Sequence, residues 1–289
     1  MRCFAPLFFI VVEFFILWYS LFVMETKNFA VCFNPNIDNS VEVKDKLLAI
    51  LKRRNLNAEA LDVDVLKDGF DFVFVVGGDG TILKTARFYA RFQTPVFGIN
   101  LGRLGFLSQS SREDIEQSVD KIIKGQFIIE DRIMLQCGNY TALNDFVLKC
   151  SSLGRTSKFI LKINGKPVCD YLADGIIIST PTGSTAYGLS AGGPVLTPSL
   201  NAFVIVPICP HTLTARPLVI ADTEKITVCV DEDKEHYLYA DGQENVLFNR
   251  EIHIEKSNFK VKLALLENSD FYSVLSDKLH WGVSFKYNY

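Results

Sequence analysis

The chain has 289 residues, 48% hydrophobic and 22% charged, a length for one large domain or two ordinary ones and a composition that excludes disorder. Thirty Lys and Arg against 33 Asp and Glu leave a net charge of −3, so there is no basic field for nucleic acid. Seven cysteines stand singly, at positions 3, 32, 137, 150, 169, 209 and 229, and the four histidines form no H-E-x-x-H, which excludes the usual zinc sites and a disulfide scaffold and suits a reducing compartment.

Residues 4–23, FAPLFFIVVEFFILWYSLFV, carry a single charge, Glu13, over about the length that spans a bilayer. A membrane anchor and a cleaved signal peptide compete here with a start codon placed too early, the true start being Met24. No small-x-small cleavage site closes the segment. Glu13 at mid-membrane would cost about 3 kcal/mol on insertion scales, and polar ETKN follows Met24 directly. The early start codon is the preferred reading, and no membrane partner is expected.

FAVCF (29–33) reads as a strand, and Ser40 as the N-cap of a helix over VEVKDKLLAILKRRN. DFVFVV (71–76) reads as a strand buried on both faces. After GGDG comes a helix, TILKTARFYARF, then a strand, TPVFGINL (94–101), and a helix, SREDIEQSVDKIIKG (111–125), closed by Gly125. Strands alternating with helices predict a parallel sheet. Beyond about residue 126 short β-rich runs predict an antiparallel β domain, with Asn164-Gly165 as a two-residue hairpin turn. SDFYSVLSDKLHWG reads as an amphipathic helix returning to the first domain. The expected organisation is an extension at 1–23, an α/β domain at 24–125, a β domain at 126–267 and a terminal helix at 268–289.

Two motifs carry chemistry. The first is Gly77-Gly78-Asp79-Gly80-Thr81, set between a strand and a helix. Glycines bring main chain close to a ligand, and the N–H groups of the following helix face an anion. A central carboxylate would repel a bare phosphate, so Asp79 fits a proton acceptor or a magnesium holder near phosphates; the bland alternative is a tight βα turn with Asp79 as N-cap. The loop lacks the Gly-Lys-Ser/Thr ending of a P-loop. Lys84, placed on the first turn of the helix, is a candidate for phosphate, against a solvated helix residue. The second motif runs from Asp174-Gly175 through IIISTPTGSTAYGLSAGGP to Pro194. Its small hydroxyl residues suit a sugar or phosphate chain lying close to main chain, and Tyr187 suits stacking on a base. A long flexible loop is the weaker reading, because such loops inside compact domains are usually functional.

GGDGT after an apolar strand, LND at 143–145, DGIIISTPTGSTAYGLSAGGPVLTP, ICPHTLTARPLV at 208–219 and VLSDKLHWG at 274–282 closely resemble NAD kinases, over essentially residues 28–282. The long middle motif is highly specific; GGDGT alone is shared in style with diacylglycerol and sphingosine kinases and phosphofructokinases. The resemblance implies an α/β N-terminal domain plus a β-sandwich C-terminal domain with the active site between them, in a homodimer or homotetramer. It implies phosphorylation of the adenosine ribose 2′-hydroxyl of NAD, with ATP or polyphosphate as donor and magnesium or another divalent ion as cofactor, in the cytoplasm. By the same resemblance Asp79 is the catalytic proton acceptor and Gly80 a dinucleotide contact; Lys84 joins the dinucleotide-binding candidates by its place on the helix after the loop. Asn144 and Asp145 hold a ribose, although the family usually has Asn-Glu there, so Asp145 keeps the carboxylate with a reach shorter by one methylene. Asp174 is a ligand-binding aspartate. Thr185, Ala186, Tyr187, Gly188, Leu189 and Ser190 lie along the dinucleotide, and Arg155 and Gln243 meet substrate. Each has a structural alternative: a strand-connecting turn for Asn144-Asp145, a strand-end turn for Asp174, a solvated loop residue for Arg155, and a hairpin turn around Asp241-Gly242 for Gln243. His211 reads as a structural loop residue, and no metal ligand is assigned. A membrane-attached lipid kinase is disfavoured by the STPTGSTAYGLSAGGP run, and a non-catalytic dinucleotide sensor by the intact GGDGT.

Overall fold

The computed structural model describes residues 27–102, 105–151, 156–230, 234–266 and 270–281; the extension expected at 1–23 lies outside them. The described residues form two compact units, one from those up to Glu130 together with those from Lys262 on, the other Asp131–Val261.

The first unit contains strands β1 (Asn28–Phe33), β2 (Asn57–Asp62), β3 (Phe72–Val76), β4 (Val96–Asn100) and β5 (Ser108–Ser111), with helices α1 (Ser40–Arg53), α2 (Asp79–Ala90) and α3 (Ile115–Ile123). The sheet runs β2-β1-β3-β4 with β5 alongside β4, every pairing parallel. All five residues of β3 and of β4 are buried, as expected of parallel strands covered on both faces. On one face Phe29, Val31, Phe74 and Phe97 pack with Leu47, Ile50 and Leu51 of α1 and Val119 and Ile122 of α3. Each such side chain contributes about 1.5–3 kcal/mol on burial. Helix α2 buries Ile82, Leu83, Ala86 and Tyr89, and its Ile82 lies so close to Gly98 that a Cβ there would stand 2.5 Å from Cδ1.

Two local expectations change. Ser40 is not the cap but the first residue of α1; the N-cap is Asn39 at φ 63°, with no side-chain cap, and the Ser40 hydroxyl donates back to the Asn34 carbonyl at 2.5 Å. Strand β2 had no apolar run to announce it, because as the edge strand it buries Leu61 alone.

The second unit takes in β6 (Phe127–Cys137) from Asp131 on, then β7 (Tyr140–Ala142), β8 (Asp145–Cys150), β9 (Ser157–Ile163), β10 (Lys166–Ala173), β11 (Gly175–Ser179), β12 (Ala202–Ile208), β13 (Leu218–Ala221), β14 (Ile226–Val230), β15 (His236–Ala240), β16 (Glu244–Phe248) and β17 (Glu251–Leu266) as far as Val261. One antiparallel sheet runs β13-β12-β11-β8-β15-β16 and another β10-β9-β14-β17. Phe146, Ile176, Ile178, Phe203 and Leu238 of the first share one core with Phe159, Leu161, Ile226, Val228 and Ile254 of the second, a β-sandwich. Asn164 and Gly165, at φ 51° and 77°, make the expected hairpin turn. Beyond Val261, β17 belongs to the first unit, where Leu263 pairs parallel with Val96 of β4.

Strand β11 is buried on both faces although its sheet is antiparallel. Its outward Ile177 packs with Val147, Val204, Val206 and Leu196, so the chain just after β11 folds back over the outer face of the six-stranded sheet. The first unit closes with α4 (Phe271–Leu279), capped by Asp270, whose carboxylate accepts from the Tyr272 and Ser273 N–H groups.

Candidate active site

In the first unit the chain leaves β3 through Gly77 and enters α2 with Gly78 as N-cap, in extended conformation and without a side-chain cap. Asp79 is therefore the first residue of the helix and not its cap. Its carboxylate turns to the segment after β4, where Oδ2 accepts the Phe106 N–H at 2.9 Å and Oδ1 the Leu107 N–H at 3.3 Å. Glycine is required at 105, since a Cβ there would stand 1.9 Å from Asp79 Oδ1. Two N–H groups occupy two of the roughly four lone-pair positions of a carboxylate, so Asp79 is oriented and still able to accept a proton. Gly80 is exposed beside it. Lys84 falls on the second turn of α2 and not the first, because the helix starts two residues earlier than expected, and its ammonium pairs with Asp64.

The second unit supplies the other cluster. Asp145 opens β8 and is 4% exposed. Burial, and after it the negative charge of Asp241, pushes its carboxyl up from an ordinary 3.8 to about 7. Asn144 precedes it, with its carbonyl accepting the Thr180 N–H at 2.9 Å. The Thr180 hydroxyl donates to the Leu143 carbonyl at 2.5 Å and accepts the Gly183 N–H at 3.1 Å. Gly183 lies on the Asn144 main chain, where a Cβ would meet the carbonyl oxygen at 2.1 Å. The glycine- and serine-rich run is thus an ordered structure, with a 3-10 turn at Thr182–Thr185 followed by one helical turn at Tyr187–Ser190. Ser184 donates to the Pro181 carbonyl and accepts the Leu196 N–H, and Thr185 donates to the Thr182 carbonyl. Gly188 is buried, Ala186 and Leu189 are half-buried and Ser190 is exposed. Tyr187 is 38% exposed; its hydroxyl accepts from Lys149 Nζ at 3.0 Å, and the same ammonium lies 5.0 Å from its ring.

Asn144, Asp145 and the start of the glycine-rich run meet at one end of β11, where Ser179 pairs with Asp145. Asp174, exposed, lies before the other end, roughly 17 Å away at the rise of a strand. Gln243 is the exposed last residue of the β15–β16 hairpin turn, in which Asp241 and Gly242 have φ 51° and 65° and the Gln243 N–H donates to the Ala240 carbonyl. His211 lies exposed in a loop, held by its own N–H on the Leu172 carbonyl. Arg155 lies outside the described residues. Asp241 was singled out by no motif beyond the Asp-Gly of its turn, yet its carboxylate accepts the N–H groups of Leu143, Asn144 and Asp145 at 2.9, 2.7 and 3.1 Å. Among the described residues no three His, Cys, Asp or Glu side chains are grouped to hold a metal ion. No described helix is long and apolar enough to cross a membrane.

An α/β unit with a carboxylate at a glycine turn, joined to a β-sandwich with a prebuilt glycine-rich segment, defines a nucleotide phosphotransferase of two domains. Family models agree over both: ATP-NAD kinase N-terminal domain matches residues 20–127 and ATP-NAD kinase C-terminal domain residues 143–266. The chain is 38% identical over 274 residues to an NAD kinase of Clostridium botulinum (strain Kyoto / Type A2), covering 88% of this chain and 97% of that one. It is 36% identical over 279 residues to an NAD kinase of Thermoanaerobacter sp. (strain X514), covering 88% and 99%. Among solved structures it resembles an NAD kinase from Archaeoglobus fulgidus in complex with ATP, at a TM-score of 0.74 and 31% identity over 88% of this chain and 98% of that one. Yeast NADH kinase complexed with NADH shares the fold at a TM-score of 0.80 and 23% identity, over 91% and 90%. The chain belongs to the NAD kinase family; it is a phosphotransferase that converts NAD to NADP.

Proposed function

We propose that ATP is the phosphoryl donor and that Asp79 is the base for the ribose 2′-hydroxyl. A ribose hydroxyl is a poor nucleophile, and a carboxylate that takes its proton as attack proceeds contributes about 10²–10⁴-fold. The observation that carries this role is the orientation of Asp79: the Phe106 and Leu107 N–H groups hold its two oxygens from one side, leaving acceptor positions for a hydroxyl. Asn144 and Asp145 bind the ribose, and Thr185 to Ser190 run along the dinucleotide with Tyr187 against a ring. Asp174, Gln243, Gly80 and Arg155 complete the contacts, and Lys84 exchanges Asp64 for a phosphate.

The ATP complex of the Archaeoglobus relative supports ATP as donor. The transferred phosphoryl group needs positioning and charge neutralisation more than covalent help. A divalent ion bound through the donor's phosphates and water, as magnesium commonly is, would supply that neutralisation. We place the enzyme in the cytoplasm, supported by the six described cysteines being free, and as a homodimer or homotetramer by analogy with its family.

The test is single-turnover NADP formation by wild type and Asp79→Asn, with ATP or polyphosphate as donor, alongside NAD binding and melting temperature. The Asn carbonyl keeps one of the two N–H contacts, so the variant folds and binds NAD. Its rate should fall by about 10²–10⁴-fold. A variant that keeps more than about a tenth of the rate would make Asp79 a structural clamp on residues 105–107. Turnover with polyphosphate and none with ATP would reverse the donor assignment.

A further inference from the structure

Asp241 lies where the strand pairing of β8 and β15 runs out. Ala240 is opposite Phe146, so the next position on each strand brings Asp241 opposite Asp145. The two are linked reciprocally: the Asp241 N–H donates to the Asp145 carbonyl at 2.9 Å, and Asp241 Oδ1 accepts the Asp145 N–H at 3.1 Å. The same carboxylate also takes the Asn144 and Leu143 N–H groups. Like charges directly opposite one another are destabilising in a sheet, and Asp145 is almost wholly buried. A buried acid next to a second acid is a costly arrangement unless one of them has a dedicated set of donors, and three converging N–H groups are such a set.

We propose that Asp241 is a positioning residue for the dinucleotide: by gathering the three N–H groups of Leu143, Asn144 and Asp145 it fixes where the Asn144 and Asp145 side chains present themselves to the ribose. The proposal rests on the assignment of Asn144 and Asp145 to the ribose made above. Asp241 touches those residues through main chain, and acts on the substrate only through them. It has a second, electrostatic consequence. Among the described residues, the charged group that bears on Asp145 is Asp241 from the β15–β16 turn, and the uncharged Ser179 of β11 pairs with it across the sheet. After burial itself, the charge of Asp241 is what holds Asp145 protonated toward neutral pH. An ionised Asp145 is the better acceptor for two hydroxyls, so NAD affinity in the wild type rises as pH passes through about 7.

The experiment is calorimetric NAD binding from pH 5.5 to 8.5 on the full chain, for wild type, Asp241→Asn and Asp145→Asn, with amide hydrogen exchange read at residues 143–145. Asn accepts the positive φ of position 241, so the hairpin is retained. Removing the charge of Asp241 should move the inflection of NAD affinity to lower pH by about one pH unit or more. It should also speed exchange at residues 143–145, most at Leu143, whose N–H loses its acceptor oxygen while the Asn carbonyl can still take those of Asn144 and Asp145, and lower NAD affinity at pH 8 by roughly tenfold. Asp145→Asn should lose the inflection altogether. If Asp145→Asn weakens NAD and Asp241→Asn changes neither the inflection nor the exchange, Asp241 has no positioning role. If Asp145→Asn binds NAD as the wild type does, the ribose assignment fails, and the role of Asp241 with it. A merely structural Asp241 would lower the melting temperature and leave the inflection at its wild-type pH, and that result too overturns the proposal.

Discussion

Replacing Asp145 by Asn should stabilise the ligand-free protein at alkaline pH and lose that advantage in acid. The carboxyl of Asp145 is raised from 3.8 to about 7 in the folded chain. Between those two values the folded state holds a proton that the unfolded state has released, so stability is greatest below about pH 4, declines as pH rises to about 7 and is level above it. The displacement corresponds to about 4 kcal/mol at 1.4 kcal/mol per pH unit. Asn carries no charge, and whatever its substitution costs in packing is the same at every pH. The stability difference, Asn minus Asp, should therefore move by about 4 kcal/mol in favour of Asn between pH 4 and pH 8. At about 2–4 °C per kcal/mol for a chain of this size, that is a relative gain of roughly 8–16 °C. Titrations of groups remote from position 145 are common to both proteins and cancel. The assay is a pair of melting curves at each pH, with NAD titrated into both at pH 8, where the variant should bind ten- to a hundredfold more weakly through loss of a charged acceptor for hydroxyls. A melting difference that stays constant from pH 4 to pH 8 would refute the reasoning, since it would mean that Asp145 ionises in its buried place as it does in water.

Gly183→Ala should lower the melting temperature and weaken NAD binding at least tenfold, because its methyl group would meet the Asn144 carbonyl at 2.1 Å and the main chain on both sides is tied by hydrogen bonds; overpacking of this kind costs about 1–3 kcal/mol, and thermal melting with NAD titration reads both effects. Lys84→Ala should leave stability within about 1 kcal/mol, as befits an exposed ion pair, and raise the KM of a phosphate-bearing substrate several-fold, whereas Asp64→Ala frees the ammonium and lowers that KM; steady-state kinetics on both variants returns Lys84 to a plain surface pair if neither constant moves.

Much of the α/β half was readable because burial on both faces leaves an unmistakable mark. DFVFVV has no polar position to spare, and the glycine turn after it is punctuated by residue type. Strand β2 was not readable, since NAEALD, at the edge of the sheet, needs no apolar face. The cap of α1 was not readable either: Ser40 has the right chemistry, but the turn before it starts the helix one residue early, with Asn39 as cap. Among the residues proposed to act on the substrate, Asp79 and the Asn144-Asp145 pair stand in motifs and could be named. The segment at 105–107 that holds Asp79, and Asp241, which holds residues 143–145, act across 27 and 98 residues of chain. Their partners are main-chain N–H groups, which every residue type except proline supplies, and so no local pattern could announce them.

The hydroxyls of the glycine-rich segment have a consequence for binding. Thr180, Thr182, Ser184 and Thr185 each bond within their own unit, and Arg132 holds Thr182 at 3.2 Å. A segment wired inward in this way is already in one conformation before any ligand arrives. A ligand laid along it therefore meets main chain that has lost its freedom during folding, and the entropy usually surrendered when a loop closes over a nucleotide has no counterpart here. As the surface proposed for the dinucleotide, the segment offers a mismatched outline no softer alternative shape, so selection there is by contour.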